Sequence, residues 1–214
     1  MTAIVTKRWQ YIPLLLIGFF LSSGVFAQTN APQKAVATLF GNPVSASDIE
    51  PNKAAKKKAK DVFAQQYQSA VENMRQQNLA SKIIDRVIEE YQKKNNITVN
   101  RELVEDFKRV FKASLDEQNT TAAKRQEIGV KQVLQWQTDK ALYEEFGGTV
   151  IFQQTNPQFP VEAYHQLLKQ YANAGAFTFK HNDDEAAFWQ PFEPPFTLII
   201  EPEDINFAKP WWQP

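Results

Sequence analysis

The sequence predicts a mostly α-helical protein with a small β component, and three observations carry that expectation. Residues 79–103, LASKIIDRVIEEYQKKNNITVNREL, read as the back of one helix, a turn and the start of another. Ile83, Ile84, Val87, Ile88 and Tyr91 fall at i, i+1, i+4, i+5 and i+8, one apolar stripe on a 3.6-residue period, with Ile84 and Val87 at its middle. Lys82, Asp85, Arg86, Glu89, Glu90 and Lys93 take the opposite face. Second, Ser, Asn and Thr stand at cap spacing ahead of several such runs. Third, composition changes after Gly148: the chain upstream is rich in Lys, Gln and Glu, whereas most of the Trp and Pro residues lie downstream, with many of the Phe. Gly148 is therefore the expected boundary between a helical module, 28–148, and an aromatic- and Pro-rich α+β segment, 149–214, packed on it.

The elements follow in order. Residues 28–33 read as a loose tail and 36–40 as a short strand, ended by a Gly41-Asn42-Pro43 turn with Val44 as a brief return. Ser47-Asp48-Ile49-Glu50 fits a capping box, Pro51 limits that helix to one turn, and Asn52 starts a longer one. Residues 53–78 are mostly helical by pattern, with Val62, Phe63, Tyr67, Ala70, Val71 and Met74 on one side and glutamines on the other. The run Lys56-Lys57-Lys58-x-Lys60 reads as a solvated first turn, with a docking patch for an acidic partner as the alternative. Lys93, Lys94, Asn95 and Asn96 suit a helix C-terminus, and Ile97-Thr98-Val99 an extended link. Asn100 caps a third helix, 101–117, burying Leu103, Val104, Phe107, Val110, Phe111 and Leu115. Thr121 caps a fourth that carries Ile128, Val133, Trp136, Leu142 and Phe146 and stops at Gly147-Gly148. Beyond it the pattern gives a strand at 149–153, a proline-opened helix at 160–172, a strand at 176–180, a short helix at 183–190 and a strand at 196–201.

Residues 1–27 are set apart as a leader. Lys7 and Arg8 make a basic start, 12–21 is an apolar run too short for a comfortable membrane span, and Val25-Phe26-Ala27 fits a signal-peptidase site. Export to a bacterial periplasm is the expected destination, with no stable membrane insertion after cleavage. The absence of cysteine agrees with a protein that relies on its core rather than on disulfides. At 43% hydrophobic and 22% charged residues the chain lies in the globular range. Its formal net charge of zero turns slightly negative once Lys7 and Arg8 are removed, which gives no sign of nucleic-acid binding. The sequons at Asn96 and Asn119 are chance matches in that setting.

Catalytic signatures are sparse. His165 and His181 are the two histidines, so a metal site would need carboxylates, and His181-Asn182-Asp183-Asp184-Glu185 is the dense candidate. The same residues make an ordinary turn and helix start, with Asp183, Asp184 and Glu185 at the positive end of the dipole. No GxSxG, GxGxxG, P-loop or HExxH is present, and no cofactor is implied. Aromatic side chains are the other constellation. Most belong to a core by expectation, but the adjacent Trp211 and Trp212 must either wrap against the body or meet a partner, and with Phe188 and Trp189 they are the candidate peptide-binding residues.

Residues 36–49, VATLFGNPVSASDI, resemble the opening of the N-terminal chaperone domain of SurA-type periplasmic proteins: a strand, a G-x-P-[IV]-[ST] return and a D-[ILV] helix start. After an insertion, 79–103 is similar to that domain's long helix and its I-x-V-x-x-E-L link. The resemblance spans roughly 36–146, and the parvulin-type prolyl isomerase domains usual in that family have no counterpart in the motifs of 149–214. It therefore implies a non-catalytic, chaperone-like binder of unfolded or extended polypeptides, with outer-membrane proteins as candidate clients. A metal-dependent hydrolase using His165, His181 and the neighbouring acids is the alternative of a different class, and a homo-oligomeric envelope assembly factor differs from the first in partner. A deep pocket of convergent polar groups favours the enzyme; an open apolar groove favours the binder.

Overall fold

The computed structural model describes residues 35–213, and over them the chain is mostly helical with small antiparallel β sheets. The expected leader, its cleavage site after Ala27 and the tail 28–33 lie outside the described residues.

Strands β1 (Ala35–Leu39) and β2 (Asn42–Ser45) pair antiparallel with Leu39 opposite Asn42, so the turn is Phe40-Gly41 rather than Gly41-Asn42-Pro43. Both turn residues have positive φ, 48° and 77°, as a two-residue I′ hairpin requires. Phe40 is held in this unusual conformation by its ring, which meets Tyr171 edge-on at 6.0 Å and lies 5.0 Å from the Arg86 guanidinium. The capping box sits two residues earlier than Ser47-x-x-Glu50: the Ser45 amide and hydroxyl both donate to the Asp48 carboxylate, opening one 3-10 turn, Ala46–Asp48.

Helix α1 (Lys53–Phe63) starts as expected, with Asn52 Oδ1 accepting the Ala55 amide at 2.9 Å. It does not run on through 78. Ala64 turns to φ 34°, a 3-10 turn Ala64–Gln66 follows, and α2 (Tyr67–Lys94) leaves in a new direction. The start of α1 lies against the middle of this part of α2, because Glu50 accepts two hydrogen bonds from Arg75 and pairs with Lys56, while Asn78 Nδ2 donates to the Ile49 carbonyl. The far end of α1 joins the first turn of α2, so the two form an antiparallel hairpin with Ala59 and Val71 buried. The Arg75 hydrogen bonds, then Lys56, hold the Glu50 carboxyl down at about 2.

From Leu79 onward α2 enters the main core, burying Leu79, Ile83, Val87 and Tyr91 in an i, i+4 row. Ile84 and Ile88 are half-buried at its flank, so the axis of the stripe passes through Ile83 rather than Ile84. Ile83→Ala is accordingly expected to cost about 2 to 4 kcal/mol and Ile84→Ala distinctly less. Urea denaturation of the two variants compares them directly, and equal losses contradict this helix phase.

The link 97–99 has no strand partner among the described residues; Gln137 pins it, donating to the Thr98 carbonyl and accepting the Asn100 amide, both at 3.0 Å. Helix α3 (Arg101–Val110) is capped by Asn100 and breaks at Phe111 into α4 (Lys112–Glu117), where one helix was expected. Val110 consequently faces solvent. Helix α5 (Ala122–Phe146) is capped by Thr121 and ends at Gly147, φ 64°. It approaches α3 so closely at Gly129 that a Cβ there would stand 3.1 Å from Val104 Cγ1. Val104, Phe107, Val133 and Trp136 form a second, smaller core at this crossing.

After Gly148 come β3 (Ile151–Gln153), β4 (Asn156–Phe159), α6 (Val161–Asn173), β5 (Phe177–Phe179) and α7 (Asn182–Trp189). Strand β4, which pairs with β3, was not expected. The strand expected at 196–201 does not form: Leu198 turns to φ 56°, and the segment touches β3 through the Phe152 amide to the Leu198 carbonyl and the Ile200 amide to the Val150 carbonyl. Strand β5 pairs antiparallel with β1, in the order β2-β1-β5. Residues on either side of Gly148 thus share one sheet and one core, into which α2, α6 and α7 pack.

Candidate functional site

The four candidate peptide-binding aromatics sit inside the protein. Phe188 and Trp189 are buried, Phe188 against Phe177, Phe179 and Phe192, and Trp189 beneath the Lys169 ammonium at 4.3 Å. Trp212 is buried in the second core, 5.3 Å from Phe107 and 6.1 Å from Trp136, with Trp211 half-buried over Phe107 and Phe111. Gln213 donates to Asp106 at 2.7 Å, and this bond, ahead of Arg109, holds the Asp106 carboxyl below its ordinary range. These rings are walls of the two cores rather than an open face.

The histidines do not come together with the acidic run. His165 packs between Trp189 and Phe192, at 5.6 and 6.5 Å, where burial, then Lys169, lowers its pKa. His181 precedes α7 without capping it through its side chain, and Asp183, Asp184 and Glu185 form the first turn. Among the described residues no three His, Asp or Glu side chains are grouped so as to hold a metal ion. The buried carboxyl is elsewhere, at Asp139 on α5. It accepts the Tyr164 hydroxyl at 2.7 Å and the Asn156 amide at 2.8 Å, tying α5 to α6 and β4. Burial pushes its pKa up to about 7 against the pull of those two donors.

An open groove lies at the helical hairpin. Ser69, Ala70, Asn73, Met74 and Gln77 recur at i, i+1, i+4, i+5 and i+8, one face along the first half of α2, and with Phe63 and Gln66 before it they line a groove of about 300 Å³. Phe63 is 45% exposed and Val62, beside it at the hairpin tip, 62%. The reversal at Ala64 accompanies the groove: Val71 is buried, while Ala70 and Met74 on the neighbouring face are half-buried and line it. The sequence grouped Val62, Phe63, Tyr67, Ala70, Val71 and Met74 as one apolar side, and no Gly or Pro marks the break. The available signal was the excess of Gln and Asn around those residues, too polar for a helix buried on both flanks.

Chemically the lining has no nucleophile and base in partnership. It offers apolar surface from Phe63, Ala70 and Met74, and carboxamides from Gln66, Asn73 and Gln77 that both donate and accept, as a peptide backbone does. Such a lining can take apolar side chains and pair with the main chain of an extended segment. Phe152, Leu198 and Ile199 make a second exposed apolar group, beside β3. No helix among the described residues is long and apolar enough to cross a membrane. No protein-family model, curated protein or solved structure matches the chain.

Proposed function

We propose that this protein is a non-catalytic, periplasmic polypeptide-binding protein of chaperone type, which holds extended segments of unfolded chains in the groove at the α1–α2 hairpin. The observation that carries the reading is the groove itself: it is open, and Phe63, Ala70 and Met74 line it together with carboxamides able to pair with a backbone. The order of elements supports it, since a strand and return, a capped turn, the inserted α1, the long α2, an extended link and the helices α3 to α5 follow one another, an order that resembles the SurA-type N-terminal domain except that its first helix after the link is broken into α3 and α4. The leader-like residues 1–27 support export.

The test is suppression of aggregation. The purified protein is expected to slow aggregation of an unfolded outer-membrane protein without metal, nucleotide or cofactor, because apolar burial supplies the binding. Met74→Glu places a charge in the groove lining that a bound apolar side chain would desolvate, and is expected to weaken binding by at least about tenfold. Glutamate is a good helix former, so the urea midpoint should move little. If the protein leaves aggregation unaffected while its behaviour depends on His165 or His181 and is abolished by a chelator, the hydrolase reading takes its place.

A further inference from the structure

We infer that the groove selects polypeptide segments in which acidic residues border an apolar stretch, an inference that rests on the groove being a polypeptide site. Phe63, which lines the groove, lies three, seven and ten residues after Lys60, Lys56 and Lys53 on α1. These offsets place all four on one helical face, so the apolar lining runs directly into a row of lysines. Lys57 flanks that row. Lys56 is taken up by Glu50 and Lys57 by Asp61, whereas Lys53 and Lys60, both exposed, have no ion-pair partner among the described residues.

The fold gives Lys53 little to do: it stands in the first turn of α1, where the positive end of the helix dipole opposes it, and Asn52 already caps the helix. Lys60 suits the last turn of α1, yet its ammonium is exposed beside the groove-lining Phe63. Nor does the groove supply its own counter-charge. Its lining contains no carboxylate, and the acids near it are engaged: Asp61 pairs with Lys57, Glu72 accepts from Arg75 at 2.9 Å, and Glu50 is held by Arg75 and Lys56. A segment with apolar side chains for Phe63, Ala70 and Met74 and carboxylates one or two residues beyond would complete both halves of this surface. An anionic bilayer would meet the lysines and the Val62-Phe63 tip, but would leave the concave, carboxamide-lined wall of α2 unused. A polypeptide uses it.

The experiment measures fluorescence anisotropy of three labelled peptides that share one apolar core, flanked by Glu, by Gln or by Lys. The Glu-flanked peptide is expected to bind about tenfold more tightly than the Gln-flanked one at low salt, the sum of a few exposed ion pairs. That advantage should collapse near about 0.5 M sodium chloride, where the screening length is about 4 Å. It should also vanish in the double variant Lys53→Gln, Lys60→Gln, with the Gln-flanked affinity unchanged. Equal binding of all three peptides, sensitive to Met74→Glu, overturns the acidic preference and leaves the polypeptide site standing. Failure of all three to bind removes the polypeptide site and the preference with it. Salt-sensitive binding to phosphatidylglycerol vesicles in the absence of any peptide binding overturns the inference in favour of an anionic bilayer.

Discussion

Replacing Trp212 with alanine is expected to lower the unfolding free energy by about 3 to 5 kcal/mol, the cost of emptying a large aromatic site in a packed core. The second core is small, so a single ring is a large share of it: Trp212 stands edge-on to Phe107 at 5.3 Å, to Trp136 at 6.1 Å and to Trp211 at 5.3 Å. No neighbouring element can slide in to fill the space, because α3 and α5 are already in contact at Gly129. Trp211→Ala should cost much less, since that ring is half-exposed. Urea denaturation followed by circular dichroism separates the two. An unchanged midpoint for Trp212→Ala would contradict its place in the second core.

Stability is expected to fall by about 4 kcal/mol through Asp139 alone as pH rises from about 4 to about 7, three pKa units at about 1.4 kcal/mol each. Its carboxyl holds a proton more tightly when folded, at about 7, than at its ordinary 3.8. Below 3.8 both folded and unfolded chains carry that proton, and the contribution is fully present. Between the two values the unfolded chain ionises freely while the folded one must keep the proton or bury a charge, so stability is lost. Above about 7 the loss is complete. Glu50 acts in the opposite sense, since its lowered carboxyl favours the fold at higher pH and loses that contribution as pH falls toward about 2. The contrast with Asp139→Asn isolates the buried group, because asparagine keeps an acceptor for the Tyr164 hydroxyl and cannot ionise. Thermal unfolding across about pH 4 to 8 should show the variant without the decline. Parallel profiles for the two proteins would mean that Asp139 does not titrate in this range.

Local signals were legible in the sequence. Asn52, Asn100 and Thr121 each cap the helix they precede, because a cap is made by atoms two or three residues apart. The apolar stripe of α2 was legible for the same reason, though its axis was misplaced from Ile83 to Ile84: two adjacent isoleucines fit one broad stripe equally well. What the sequence did not show depends on distant partners. Phe40 can adopt a turn conformation foreign to it because Tyr171 and Arg86 surround its ring. The reversal at Ala64 has no breaking residue, and it is held by Glu50 reaching Arg75 and Lys56. That reversal accompanies the groove, so the candidate site was the least legible part of the chain. Trp211 and Trp212 were singled out correctly as needing a surface to cover, but nothing local could show that α3 and α5 provide it.

The two cores also differ in when they can close. The walls of the second, Phe107, Val133 and Trp136, precede Trp212 by about 75 to 105 residues, and β1 waits still longer for β5. A chain that emerges N-terminus first presents Trp136 about 75 residues before Trp212. During that interval the α3–α5 crossing is an uncovered aromatic surface of the kind that nascent polypeptides aggregate through. Until Trp212 docks, that surface stays open to other chains.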